Sequence, residues 1–301
     1  MAKINSPNFM CIGAAKCATT SLYNILKQHP QIGLSLFKEP HFFDNLNNFK
    51  NGKEWYLNNY YKNLNSFNAL GEFTPTYLAS KNAPERILNF FGNKMKFIVM
   101  LRNPIDRAYS HFLHTKRDSH ETLTFVQALE NENKRLDEIN DNQNFISFLR
   151  YSYIYQSKYY MHIENYLKFF NIDQFHFVKF DDFVNNRKPT LNKILKFLEV
   201  STNEELDINV YSNKASIARF KSLKSLMKKD NLVKRILKLM IPSLVLRQKL
   251  RNILHASNNK VSDKPVLTQK VRNHIYNEFF YKDILDLEKM LNLDLNSWKE
   301  C

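Results

Sequence analysis

Residues 9–26 constrain the fold more than any other part of this 301-residue chain. Phe9-Met10-Cys11-Ile12 is a short apolar run, and residues 13–18 are a turn of small side chains broken by Lys16. Thr19-Thr20-Ser21 then opens a helix that continues through Leu22, Ile25 and Leu26. A strand passing through a slim turn into a helix is the repeating unit of parallel α/β sheets. The start of such a helix offers N–H groups without intrahelical acceptors and the positive end of the macrodipole, which together suit a phosphate. Gly13, Ala14, Ala15 and Ala18 keep the turn slim enough for an anion to approach, and Lys16 adds a point charge. The spacing departs from the triphosphate loop G-x-x-x-x-G-K-[ST], whose lysine directly precedes the magnesium-holding hydroxyl. Ala18-Thr19 stand where that loop needs Gly-Lys, so Lys16 meets the phosphate from another side and the metal-holding pair is missing. A plain strand–turn–helix with a surface lysine is the alternative that the loop alone leaves open.

Two further segments carry chemistry. Lys96-Phe97-Ile98-Val99-Met100-Leu101 is a near-continuous apolar run of the kind buried in a parallel sheet. Ligands of open α/β sheets bind beyond the carboxyl ends of the strands, so Arg102, which follows that run, emerges at the same edge as the Lys16 turn. Pro104 opens the next helix, Ser110 lies two turns along it, and Arg107 is a candidate for an ion pair with Asp106 or Glu72. The second segment is Lys38-Glu39-Pro40-His41-Phe42-Phe43-Asp44, in which three polar groups sit among aromatics. An apolar setting raises a carboxyl pKa toward neutrality, which would fit Glu39 to general-base work. The alternative is a surface glutamate beside a satisfied core histidine.

The remaining pattern predicts a short strand within 31–36, a helix over 53–61, a strand over 69–73 and a helix from Pro84. A helical face at Phe125, Ala128 and Leu129 precedes a polar loop to Gln143. A helical stripe over 153–170, a strand over 174–180, a helix from Pro189 and a last helix over 268–291 complete the reading. The expected class is α/β: one domain over 1–301, a parallel sheet resembling a P-loop fold and flanked by helices, with 221–256 as a basic helical insertion.

Lys and Arg number 44 against 29 Asp and Glu, a net charge of +15, which favours anionic partners. The three cysteines form no spaced framework and no zinc pattern, so a reducing, cytoplasmic setting is expected. No signal-peptide pattern opens the chain, and no run approaches the roughly 20 apolar residues of a membrane span. The lysines and arginines of 221–256, set among leucines and isoleucines, would suit peripheral contact with the inner face of a membrane or an acidic polymer; helices with a solvated basic face are the alternative.

Taken together, these motifs resemble sulfotransferases that use 3′-phosphoadenosine 5′-phosphosulfate (PAPS), particularly bacterial members similar to heparan sulfate sulfotransferase domains. Gly13-Ala14-Ala15-Lys16-Cys17-Ala18-Thr19-Thr20-Ser21 resembles the family's 5′-phosphosulfate loop, and Arg102-Asn103-Pro104-Ile105-Asp106-Arg107-Ala108-Tyr109-Ser110 its 3′-phosphate motif. Glu39-Pro40-His41-Phe42-Phe43-Asp44 is similar to the segment with the catalytic glutamate. The resemblance implies that Lys16 contacts the oxygen bridging phosphate and sulfate. Cys17, Ala18, Thr19, Thr20 and Ser21 would line the 5′-phosphate, and Arg102 and Ser110 would hold the 3′-phosphate. Glu39 would deprotonate the acceptor, with His41 and Asp44 shaping its site, and Lys260 resembles a lysine of a further cofactor loop. Phe73 stands where these enzymes often carry lysine, so its charge must be supplied elsewhere or be absent. The acceptor implied is a hydroxyl or amine of an acidic glycan or lipid-linked sugar; no metal and no nucleic acid are expected. A P-loop kinase and a non-catalytic basic module binding an anionic polymer or membrane are the competing readings.

Overall fold

Five segments form a parallel sheet: β1 (Phe9–Gly13), β2 (Ile32–Leu34), β3 (Ala69–Phe73), β4 (Lys96–Leu101) and β5 (Phe175–Lys179), in the order β2-β3-β1-β4-β5. The computed structural model describes residues 6–62, 64, 67–139, 145–210, 216–218, 259–261 and 265–299. β1, β2 and β3 are buried at every position, as strands covered on both faces must be. β1 lies at the centre, with Cys11 opposite Phe73 on one side and Ile98 on the other. From β1 the chain winds outward to β2, whereas from β3 it crosses back to β4 and on to β5. The direction of winding therefore reverses between β1 and β4, and the crevice of an open α/β sheet lies at that switch point.

The helix Thr19–Leu26 follows β1, and Pro104–Arg117 follows β4 with proline at its first position, where a missing N–H costs nothing. Several boundaries differ from the sequence reading. The polar stretch expected as a loop to Gln143 contains the helix Glu132–Asp137. Buried Glu132 accepts the N–H groups of Ile154 and Tyr155, both at 2.7 Å, so a residue that looks solvent-bound is an internal anchor. The stripe over 153–170 is helical only at Tyr159–Leu167, after a single turn at Tyr155–Ser157. The helix expected from Pro189 begins earlier, at Arg187, and the last helix is interrupted by a π-turn at Tyr276–Phe280.

The chain falls into two compact units, residues 1–112, 123–212 and 267–301 in the first, 113–122 and 213–266 in the second. In the second, Ser216–Ala218 pairs antiparallel with Asn259–Val261, which sets Lys260 opposite Ile217. The basic stretch 221–256 lies outside the described residues. Among the described residues no helix is long and apolar enough to cross a membrane.

Candidate functional site

The turn after β1 is built by packing before it is built for a ligand. A Cβ on Gly13 would stand 2.6 Å from Leu78 Cδ2, so glycine is required here by the segment that follows β3. The Ala14 N–H donates to Met100 O of β4 at 2.8 Å. Lys16 and Ala18 then take left-handed backbone, φ 74° and 63°, at about 1 kcal/mol each. This strained turn aims the chain into the helix Thr19–Leu26, whose cap residue Ala18 supplies no side-chain acceptor. The N–H groups of Thr19 and Thr20 have no intrahelical acceptor by construction, so the turn fits an anion. Thr19 and Ser21 are buried and Thr20 half-buried. Cys17 turns its side chain inward, with Sγ 3.8 Å from Tyr159 Oη, and burial pushes its thiol pKa up.

Arg102 joins this turn. Its Nη1 donates to Lys16 O at 3.3 Å, its guanidinium lies 4.3 Å from the Phe180 ring centre, and its own carbonyl accepts Tyr159 Oη at 3.0 Å. A neutral acceptor and a ring face each hold an arginine by about 1 kcal/mol, less than a charge-assisted pair with phosphate. The resting partners of Arg102 are thus ones that a phosphate outcompetes. Ser110 stands half-buried on the helix that follows. Arg107 pairs with neither Asp106 nor Glu72, contrary to the sequence expectation. It is fully buried, donating to Ser157 Oγ at 2.6 Å and Tyr153 O at 2.9 Å, while Asp106 takes Arg272 at 2.8 Å. Lys260 belongs to the second unit, and its side chain is not among those described.

The second cluster is the Glu39 segment. Its backbone is fixed by the Glu39 N–H donating to Phe73 O at 3.0 Å and by Asn48 Nδ2 donating to His41 O at 2.8 Å. Glu39 and His41 both take left-handed φ, 64° and 49°, on either side of Pro40. Non-glycine residues hold such backbone only where their surroundings over-determine it. The result brings His41 Nε2 to 3.8 Å from Glu39 Oε2, while His41 Nδ1 lies 3.0 Å from Asp44 Oδ2. Thr76 Oγ1 also donates to Asp44 Oδ2, and Asp44 Oδ1 is buried with no hydrogen-bond partner among the described residues. Behind the loop, Tyr77 Oη accepts the N–H groups of Phe42 at 2.9 Å and Phe43 at 3.3 Å, and is itself held by buried Glu72. Tyr77→Phe should therefore destabilise the fold by about 2 kcal/mol, two buried donors losing their acceptor. A urea unfolding midpoint equal to wild type would show that the hydroxyl bears no load.

The electrostatics of Glu39 reverse the sequence expectation. The protein around Glu39 partly desolvates it and pushes its pKa up, although the side chain stays 42% exposed. Lys38, which also hydrogen-bonds it, together with His41 and Lys16, outweighs this and leaves it below the usual carboxylate range. Burial opposes the charged form of His41, yet Asp44, then Glu39 and Glu72, raise its pKa above the ordinary value. Glu39 is thus a carboxylate ringed by cations. None of these comes from β3, where Phe73 is buried edge-to-face on Tyr23 at 5.5 Å. Lys16, Arg102, Glu39, His41 and Asp44 are brought to one edge of the sheet. Sequence reasoning missed Tyr159 and Tyr77, because periodicity reports where a ring packs and says nothing of its hydroxyl. It missed Lys38 because only the left-handed φ of Glu39 brings the two side chains together.

Residues 6–239 match the family described as sulfotransferase domain. The chain is similar to mouse heparan sulfate glucosamine 3-O-sulfotransferase 5, 29% identical over 201 residues, 64% of this chain and 54% of that protein. It is also similar to bifunctional heparan sulfate N-deacetylase/N-sulfotransferase 1 of Caenorhabditis elegans, 28% identical over 204 residues, 66% of this chain and 22% of that protein. The chain thus spans about half the length, or less, of these curated relatives. Among solved structures, a sulfotransferase from Alicyclobacillus acidocaldarius shares the fold with a TM-score of 0.69 at 23% identity, over 98% of this chain and 100% of that one. The family match takes in all five parallel strands and the loops at their carboxyl edge, and the chain belongs to the sulfotransferase domain family.

Proposed function

We propose that this protein transfers a sulfuryl group from PAPS to a hydroxyl or amine of a glycan acceptor. The observation that carries the reading is the contact of Arg102 with the Lys16 carbonyl, which sets the guanidinium against the turn that opens the helix Thr19–Leu26. The donor supplies an activated sulfuryl group on a phosphate leaving group. Lys16 and the N-terminus of the helix Thr19–Leu26 would take the charge left on that phosphate, with Cys17 and Ala18 lending backbone and Thr19, Thr20 and Ser21 their hydroxyls. Arg102 and Ser110 would hold the 3′-phosphate, and Lys260 is assigned to the donor by resemblance. Glu39 would accept the acceptor's proton as the new O–S or N–S bond forms and the bond from sulfur to the bridging oxygen breaks. That bond's electron pair goes to the phosphate. His41, held by Asp44, which raises its pKa, would help keep Glu39 in place.

A weakly basic carboxylate fits this chemistry. By analogy with phosphoryl transfer through a loose transition state, bonding to the nucleophile is slight when the barrier is crossed. The proton is then lost late, and position and ionisation of the base matter more than its strength. A glycan acceptor follows from the names of the relatives and from the net charge of +15. Incubation with labelled PAPS and a panel of heparosan, N-sulfated heparosan, chondroitin and lipid-linked sugars should give a product heavier by one SO3. Absence of transfer to every acceptor, or magnesium-dependent consumption of ATP, would overturn the reading.

A further inference from the structure

A lysine next in sequence to a glutamate normally points away from it, since successive side chains of extended backbone alternate. The left-handed φ of Glu39, 64°, undoes that alternation, and Lys38 Nζ donates to Glu39 Oε1. The burial is the reverse of a solvated surface pair: the lysine side chain is 17% exposed and the glutamate 42%. A long cation ordinarily keeps its head in water, so a lysine withdrawn further than its carboxylate is held there by its surroundings. The segment is pinned on both sides, with the Leu36 N–H donating to Tyr60 O at 2.9 Å and the Glu39 N–H to Phe73 O at 3.0 Å. Burial pushes the Cys11 thiol of β1 up to about 12, and the Lys38 ammonium opposes that rise. The charged groups facing Glu39 are Lys38, His41 at 3.8 Å and Lys16, with Asp44 and Glu72 acting on His41.

We propose that Lys38 is a positioning residue for Glu39, its ammonium fixing the carboxylate at the donor edge. The proposal rests on the sulfuryl-transfer reading only for the task given to Glu39. Lys38→Met and Lys38→Arg test it by two readouts: the 13C NMR titration of the Glu39 carboxyl, assigned by difference from Glu39→Gln, and the pH profile of transfer from labelled PAPS. In Lys38→Met, Glu39 titrates at higher pH than in wild type, the acid limb of the profile moves up with it, and kcat at neutral pH falls about 10-fold. Lys38→Arg restores both. A lysine that merely packs would leave the titration and the limb where they are, and that result overturns the proposal. If wild type moves no sulfuryl group at all, the transfer reading falls, while the carboxyl titration still decides whether Lys38 governs Glu39.

Discussion

Glu39→Gln should lower sulfuryl transfer by about 10²- to 10⁴-fold, the range for loss of a positioned general base. Glu39 is exposed and its backbone, not its carboxylate, ties the segment to Phe73. The variant should therefore unfold within about 0.5 kcal/mol of wild type and bind the desulfated donor, 3′-phosphoadenosine 5′-phosphate, with unchanged affinity. Turnover of labelled PAPS, beside calorimetric binding of that product, separates the two. The pH dependence follows from the sign of the shift. The Glu39 pKa lies below the ordinary range, so the carboxylate is ionised across neutral pH, and transfer falls only as acid protonates it. Near-normal turnover by Glu39→Gln would remove Glu39 from the chemistry.

Lys16→Ala should cost about 10² to 10³ in kcat, as loss of one preorganised group at a developing negative charge does. The backbone role of residue 16 survives, because its carbonyl still accepts Arg102 and alanine tolerates the same left-handed φ about as well as lysine. The loss should fall on kcat rather than KM, since charge on the leaving phosphate grows only in the transition state. A variant with raised KM and intact kcat would make Lys16 a ground-state contact only.

The central strands were legible because covering both faces of a sheet forces continuous apolar runs, and β1 and β4 appear where those runs lie. The edge at which Lys16 and Arg102 meet was legible from the rule that ligands bind at the carboxyl ends of such strands. Helix limits in polar stretches were not, because Glu132 looks solvated until Ile154 and Tyr155 are seen to need its carboxylate. The Glu39 pKa was misread for a related reason. The aromatics beside Glu39 are local in sequence, whereas Lys16 comes from a distant loop and Lys38 arrives only through a left-handed backbone. Arg107 shows the same limit: its partners Tyr153 and Ser157 lie 46 and 50 residues away.

On the function proposed, the Lys16 turn and Arg102 grip one bisphosphorylated nucleotide between them. The most direct measurement is a crystal structure of the chain soaked with 3′-phosphoadenosine 5′-phosphate. The 5′-phosphate should lie on the N–H groups and hydroxyls at the start of the helix Thr19–Leu26, and the 3′-phosphate on Arg102, with its bond to the Lys16 carbonyl released. Nucleotide bound elsewhere, or Arg102 still on that carbonyl beside an occupied turn, would contradict it.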